Sequence, residues 1–293
     1  MSATRIALAT SRKYADLPPD ERALIPALAA RGVEGIPVVW DDASVAWDSF
    51  AAVIVRSCWD YHLRLGEFLG WIGALEQRGI AVHNPPAVLR WNAKKTYLRE
   101  LAARGYRVAP TRFAAGPAVP SLSETLHAAG WDKAVVKPVV SASSYQTWVT
   151  TAAQAAGDEE RYRELARHGG ALVQPFINAI VREGGGEWSF CFFDGRFSHA
   201  ALKQPVAGEF RVQVEFGGRI LPRSVAPALV EQAARIAAAA PARCLYARVD
   251  GYVVDDAFHL MELEVLEPSM LLGCDPAAPD RFAAAIIGIL GSP

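Results

Sequence analysis

The residues best equipped for chemistry lie near the C-terminal end, in Arg248-Val249-Asp250-Gly251 and Met261-Glu262-Leu263-Glu264-Val265-Leu266-Glu267-Pro268. Side chains alternate across a β-strand, so Glu262 and Glu264 share one face. A connecting loop at Asp255-Asp256-Ala257 makes the two runs a hairpin, with Asp250 opposite Glu262 and Arg248 opposite Glu264. Like charges on one face are costly unless something cationic sits among them. Asp250, Glu262 and Glu264 are hard oxygen donors suited to Mg²⁺, above all an ion shared with nucleotide phosphates. The competing reading is a solvated outer face of an edge hairpin.

Cationic candidates lie elsewhere in the chain. Lys137 interrupts the apolar run 134–140 and needs an anionic partner if buried. Ser141-Ala142-Ser143-Ser144 follows at once, a loop of hydroxyls and amides able to wrap phosphate oxygens. Lys94 and Lys95 open a helix after Pro85-Pro86, where either is equally well a solvated lysine. Lys203 and Arg211 flank a loop and can converge on one anion, the guanidinium providing a fork. Gln174-Pro175-Phe176 ends an apolar strand, where it can hold a purine or serve as an interdomain linker. Arg56-Ser57-Cys58-Trp59-Asp60-Tyr61 follows a central strand, and open α/β sheets bind ligands beyond the carboxyl ends of their strands; the same turn can simply cap the sheet. Lysines, serine loop, arginine and acidic residues together describe a polyphosphate–Mg²⁺ site. The Rossmann and P-loop glycine signatures are both missing, and the six histidines have no metal-ligand spacing.

Positioning such residues takes three kinds of segment. Strand patterns at 5–10, 35–40, 51–57 and 80–84 alternate with helix patterns at 20–31 and 67–78, predicting a parallel sheet covered on both faces. Asn84-Pro85-Pro86 breaks that alternation, and a helix is expected over 87–104. From residue 107 the pattern is α+β, with strands at 108–114, 134–140 and 171–176 and helices at 121–129 and 159–168. Two hairpins follow, one turning at Asp194-Gly195, with helices at 227–240 and 280–290.

Composition narrows the class. The 293 residues, 52% hydrophobic and 21% charged, build a sizeable globular core. A formal charge of -1 gives no reason to expect nucleic acid or an anionic membrane as partner. Cys58, Cys191, Cys244 and Cys274 form no CxxC pair and read as buried thiols of a reducing compartment, so a cytoplasmic location is expected.

From residues 84 to 269 these motifs, in this order, resemble the ATP-grasp superfamily in its glutathione synthetase-like branch. The resemblance implies an N-terminal α/β domain (1–92), a central lid subdomain (93–176) and a C-terminal ATP-grasp subdomain (177–293) that clasp ATP between them. It assigns Lys95, Lys137, Ser143, Ser144 and Lys203 to the phosphates, Gln174, Pro175 and Phe176 to adenine, Glu187 to ribose, and Asp250, Glu262 and Glu264 to one or two Mg²⁺ ions. Glu264 stands where the superfamily normally has asparagine, an added charge that Arg248 would offset. The implied activity is ATP-dependent joining of a small-molecule carboxylate to a nitrogen through an acyl phosphate, with Arg211 and Lys203 as catalytic residues. The combination of Arg56, Trp59, Tyr61, Arg248 and Glu267-Pro268-Ser269 is similar to the cyclo-ligases that close O-ureido-D-serine in antibiotic biosynthesis. On that likeness Arg56, Trp59, Tyr61, Arg211 and Ser269 face the substrate. A ligase joining two small substrates, such as amino acids, and a non-catalytic ATP-binding regulator are the alternatives, and the oligomeric state stays open.

Overall fold

A computed structural model of the chain describes residues 4–291. Its N-terminal layer is a four-stranded parallel sheet in the order β2-β1-β3-β4, formed by β1 (Thr4–Thr10), β2 (Val33–Val39), β3 (Ala52–Val55) and β4 (Val82–His83). The expected helix over 20–31 is two short pieces, α1 (Pro19–Arg22) and α2 (Leu24–Ala29). α3 (Leu65–Gln77) covers the other face, burying Phe68, Ile72 and Leu75, a spacing of three to four residues that makes one helical stripe.

The helix expected over 87–104 is also divided, into α4 (Pro86–Asn92) and α5 (Tyr97–Ala103). Residues 93–96 form the turn between them, where the Lys95 amide donates to the Val139 carbonyl at 2.9 Å. Lys95 therefore belongs to a turn, not to a helix. Val88, Tyr97, Leu98 and Leu101 pack with Phe190, Phe192 and Leu263, so α4 and α5 lie against the C-terminal sheet.

The central sheet has the order β5-β8-β6-β7 and is antiparallel. It contains β5 (Arg112–Ala114), β6 (Lys133–Pro138), β7 (Trp148–Thr151) and β8 (Ala171–Pro175), covered by α6 (Leu122–Ala129) and α7 (Glu159–Arg167). α6 starts with a reciprocal cap, in which the Ser121 side chain accepts from the Glu124 amide and Glu124 accepts from the Ser121 amide. Leu122, Leu126, Val136, Trp148, Tyr162 and Leu165 form the core of this unit.

After the one-turn α8 (Asn178–Val181), the C-terminal sheet runs β11-β10-β9-β12-β13. Its strands are β9 (Glu187–Phe193), β10 (Arg196–Gln204), β11 (Arg219–Pro222), β12 (Tyr246–Val254) and β13 (Ala257–Glu264). α9 (Pro227–Ala237) packs on the same face as α4 and α5. α10 (Ala278–Leu290) fills the seam to the N-terminal sheet, with Phe282 stacked on Phe193 at 4.4 Å and Ile6 and Leu8 in the same cluster. Asn84 ties the two sheets by donating to the carbonyls of Tyr246 (2.9 Å) and Val265 (2.7 Å) and accepting from the Leu245 amide (2.6 Å).

The expected hairpin register is present, with Arg248 opposite Glu264 and Asp250 opposite Glu262. The route to it differs. Ala257 is already in β13, and the turn is the pair Asp255-Asp256, both at positive φ. The residue removed from the loop reappears as a bulge after Asp250. Met261 is the unpaired residue of the bulge, and Gly251 stands on the strand facing it, where the His259 carbonyl lies only 2.1 Å from where a Cβ would stand. All four cysteines are unbridged, and among the described residues no helix is long and apolar enough to cross a membrane.

Candidate active site

The three sheets enclose a cavity of about 750 Å³. β6 directs Lys137 into it from the central sheet; β10, β12 and β13 direct Lys203, Asp250, Glu262 and Glu264 into it from the C-terminal sheet. The Lys137 ammonium lies 2.7 Å from Glu262, and Lys95 reaches the other oxygen of that carboxylate at 3.5 Å while donating to the Ser141 carbonyl at 2.9 Å. Lys203 bridges Glu187 at 2.5 Å and Asp250 at 3.2 Å. Arg248 lies 2.7 Å from Glu264 and 2.8 Å from Asp250, and donates to the Ser269 carbonyl at 2.6 Å. Buried charges are thus neutralised in pairs and triads, as the low dielectric of the site requires.

These pairings shape the acidities. Burial opposes ionisation of Glu262, but Lys137 and then Lys95 outweigh it and hold the carboxyl at about 2. Burial raises Glu264, Arg248 pulls it back, and the neighbouring Asp250 and Glu262 push it up again, to about 8. Burial also opposes the charge on Lys203, yet Asp250 and Glu187 raise its pKa above the ordinary lysine value.

The chemistry of the donor set suits Mg²⁺. Among the described residues no three His, Cys, Asp or Glu side chains group closely enough to hold a metal. Asp250 is the most enclosed of the three, its oxygens accepting from Ser189 (2.6 Å), Arg248 (2.8 and 3.0 Å) and Lys203 (3.2 Å). Glu262 and Glu264 keep part of their surface toward the cavity, their side chains 23% and 26% exposed. Two carboxylates plus substrate phosphates are a usual Mg²⁺ environment. A divalent cation would also relieve the repulsion that raises Glu264.

Opposite the carboxylates, Ser143 and Ser144 line the cavity at φ of 48 and 56. Left-handed backbone costs a non-glycine residue roughly 1–2 kcal/mol, a strain typical of ligand-holding loops. Tyr145 anchors the loop against His62 of the N-terminal layer, with ring centroids 4.9 Å apart. At one end of the cavity Val135, Phe176, Ile177 and Met261 make an apolar slot beside Gln174 and Pro175. The Phe176 ring is fixed by the Lys133 ammonium at 3.6 Å and by its own amide donating to the Lys133 carbonyl. Gln174 is oriented by donating to the Thr111 hydroxyl at 2.9 Å.

The other end is built by Tyr14, Asp20, Trp59, Tyr61, Glu267, Ser269 and Cys274. Trp59 donates to the Glu267 carbonyl at 2.8 Å and meets Tyr14 edge-on at 4.8 Å. Arg56 does not join them. It is 1% exposed, its guanidinium grips Glu21 at 2.7 Å, donates to the Pro268 carbonyl at 2.8 Å and lies over the Tyr246 ring at 4.8 Å. The substrate role expected for Arg56 is replaced by a structural one: it joins the N-terminal layer to the segment carrying Glu267 and Ser269. Arg211 does reach the cavity, clamped by Glu209 at 2.7 Å and flat on Phe216 at 3.6 Å. That clamp holds the Glu209 carboxyl at about 2, chiefly through the hydrogen bonds Arg211 donates. Sequence reasoning quoted Glu267 in a motif but gave it no role, passed over Asp20, and read Glu187 as a ribose ligand without its partner Lys203.

A parallel sheet behind two antiparallel sheets, closing on a cavity of lysines and carboxylates, is the ATP-grasp fold. Residues 6–84 match the family described as D-cycloserine synthetase DcsG, N-terminal domain. The chain is 29% identical over 290 residues, 92% of each protein, to the cycloserine biosynthesis protein DcsG of Streptomyces lavendulae. A crystal structure of D-cycloserine synthetase DcsG aligns with a TM-score of 0.88 at 27% identity, covering 98% of this chain and 99% of that one. A RimK domain ATP-grasp protein from Sphaerobacter thermophilus shares the fold at a TM-score of 0.70 and 20% identity, over 97% and 100% of the two chains.

Proposed function

We propose that this protein is an ATP-dependent ligase that converts a substrate carboxylate to an acyl phosphate with ATP, and that a nitrogen of the same small molecule then displaces the phosphate to close a ring. The observation that carries the reading is the convergence of Lys95, Lys137 and Lys203 with Glu262 and Glu264 in one cavity, delivered by separate elements of an ATP-grasp fold. The cyclic product is supported by the whole-length likeness to D-cycloserine synthetase, and O-ureido-D-serine is the acid we assign.

Each group then has a task. Val135, Phe176, Ile177 and Met261 receive the purine, and the Ser143-Ser144 loop with Lys95, Lys137 and Lys203 receives the phosphates. A Mg²⁺ held by Glu262 and Glu264 supplies charge neutralisation for the triphosphate. Phosphoryl transfer needs such positioning and neutralisation more than covalent help. Arg248 and Arg211 are the forked donors at the carboxylate end, where negative charge builds on the acyl oxygen. Trp59, Tyr61 and Ser269 border the substrate. Ring closure draws on orientation within one bound molecule. Asp250 serves by holding Arg248 and Lys203 in place.

The test is ADP release with Mg²⁺-ATP across amino acids, dipeptides and O-ureido-D-serine, with products identified by mass spectrometry. ADP formation coupled to a cyclic product supports the assignment. Products joining two molecules would replace it with a two-substrate ligase, and ATP binding without turnover of any acid would make the chain a nucleotide-binding regulator.

A further inference from the structure

Lining the cavity are five buried or half-buried acidic side chains besides Asp20: Glu187, Asp250, Glu262, Glu264 and Glu267. Four of them hold a lysine or arginine. Glu267 is the exception. It is 9% exposed, and among the described residues it makes no ion pair. Among the described residues the one hydrogen bond to its carboxyl comes from its own backbone amide, while its carbonyl is held by the Trp59 indole at 2.8 Å. A buried carboxyl left without a cation is costly, and such groups persist where a ligand or a reaction needs them. The position fits a reaction. Glu267 opens onto the cavity three residues beyond Glu264, next to Trp59, Tyr61 and Ser269 at the substrate end, away from the purine slot.

We infer that Glu267 is the general base of the second half-reaction, taking the proton from the nitrogen that attacks the acyl phosphate. The inference rests on the acyl-phosphate reading above. A C–N bond forms, the bond from the acyl carbon to the phosphate oxygen breaks with its electron pair, and inorganic phosphate leaves. The nitrogen's surplus proton passes to the Glu267 carboxylate and then to solvent as the products depart.

The surroundings tune the group for this work. Burial raises its pKa to about 7, against the lowering effects of Lys95, its own amide and Arg248; Glu262 adds to the rise. Tyr61 and Cys58 also feel its charge, and burial, the largest cause for each, raises both well above their ordinary values, so they stay neutral at that pH. A base with a pKa near the working pH combines a useful ionised fraction with useful basicity. The proton accepted is that of a neutral nitrogen, so none of the paired carboxylates has to release its cation.

Glu267→Gln preserves volume and hydrogen bonding while removing the base. General bases contribute about 10²- to 10⁴-fold, so amide formation should fall at least about a hundredfold. ADP formation trapped with hydroxylamine, a nucleophile that is neutral at pH 7 and reacts without enzymic proton removal, should stay within about threefold of wild type. The rise of amide formation with pH through the neutral range should disappear in E267Q and survive, at reduced rate, in E267D. Retained hydroxylamine-trapped turnover also shows that the variant is folded. Amide formation by E267Q at the wild-type rate, or loss of the trapped acyl phosphate in step with the amide, overturns the inference. A wild-type protein that yields no ADP with any acid would sink the ligase reading itself, a different failure.

Discussion

Lys137→Met removes the ammonium that joins the central sheet to β13 while keeping most of the side chain's bulk. The magnitude follows from the geometry. Lys137 is 7% exposed and sits 2.7 Å from Glu262, so a phosphoryl oxygen entering the same space meets it at contact distance. Two unit charges about 4 Å apart interact by about 4 kcal/mol at an effective dielectric of about 20, roughly a thousandfold in rate. Part of that attraction already holds Glu262, so a loss of at least about a hundredfold in kcat/KM for ATP is the expected reading. The fold should survive, because Glu262 keeps Lys95 at 3.5 Å and the core of the central unit lies on the other side of the sheet. A coupled ADP-release assay with saturating acid, alongside thermal unfolding with and without nucleotide, measures both quantities. K137M turnover within tenfold of wild type, with an intact nucleotide-induced stabilisation, would refute the role given to this lysine.

Other substitutions separate structural from chemical roles. Arg56→Ala strands the Glu21 carboxylate at 1% exposure, and breaking one side of such a pair costs about 3–5 kcal/mol. Denaturant midpoints should fall accordingly and largely recover in the R56M/E21M double variant; an R56A midpoint equal to wild type contradicts the assignment. Arg211→Ala should cut acid-dependent ADP formation by roughly ten- to a hundredfold through the lost oxyanion donor, with unfolding nearly unchanged because the Arg211 side chain is 28% exposed. A collapse in stability would make the Glu209–Arg211–Phe216 stack structural instead. Gly251→Ala forces a Cβ against the His259 carbonyl; overpacking of this kind costs about 1–3 kcal/mol. It should also impair ADP formation by displacing Asp250, and unaltered stability and activity would show that the position facing the bulge tolerates a side chain.

How much of this was legible depends on the range of the interaction concerned. Arg248, Asp250, Glu262 and Glu264 were paired correctly from alternation alone, because strand periodicity and a two-strand register are local properties. The register survived even a misplaced loop residue, since the β-bulge absorbed the difference. The turn at Asp194-Gly195 and the capped helix α6 were equally local. Arg56 failed because its partners are Glu21 and Pro268, 35 and 212 residues away, and no pattern near position 56 announces them. The break between α4 and α5 escaped for a related reason: 87–104 is helix-compatible throughout, and the interruption is stabilised by Val139 and Ser141 from another sheet. β7 was hidden beside a serine-rich loop and carries only four residues. The Glu209 clamp on Arg211 was the one partner within reach, two residues away, and the spacing was overlooked. Glu267 is conspicuous only after Glu187, Asp250, Glu262 and Glu264 have been matched to their cations.

That matching has a consequence for nucleotide binding. The cations expected to meet phosphate are the same ones that hold the carboxylates: Lys137 and Lys95 on Glu262, Lys203 on Asp250 and Glu187, Arg248 on Glu264. The interlock keeps the buried charges neutral before ligand arrives. ATP entering alone must compete with Glu262 for Lys137 and Lys95, whereas ATP entering with Mg²⁺ gives that carboxylate a cation of its own. Glu262→Gln should therefore act with opposite signs in two assays. Without metal, in the presence of a chelator, removing a like charge about 6 Å from the phosphates at a dielectric of about 40 relieves roughly 1.4 kcal/mol, so ATP should bind about tenfold more tightly than to wild type. With Mg²⁺, ADP formation should be lost. Isothermal titration with and without chelator reads the first effect and ADP release the second. Metal-free ATP binding to E262Q no tighter than to wild type would mean that the lysines are not shared between Glu262 and the phosphates, and the exchange of partners would have to be abandoned.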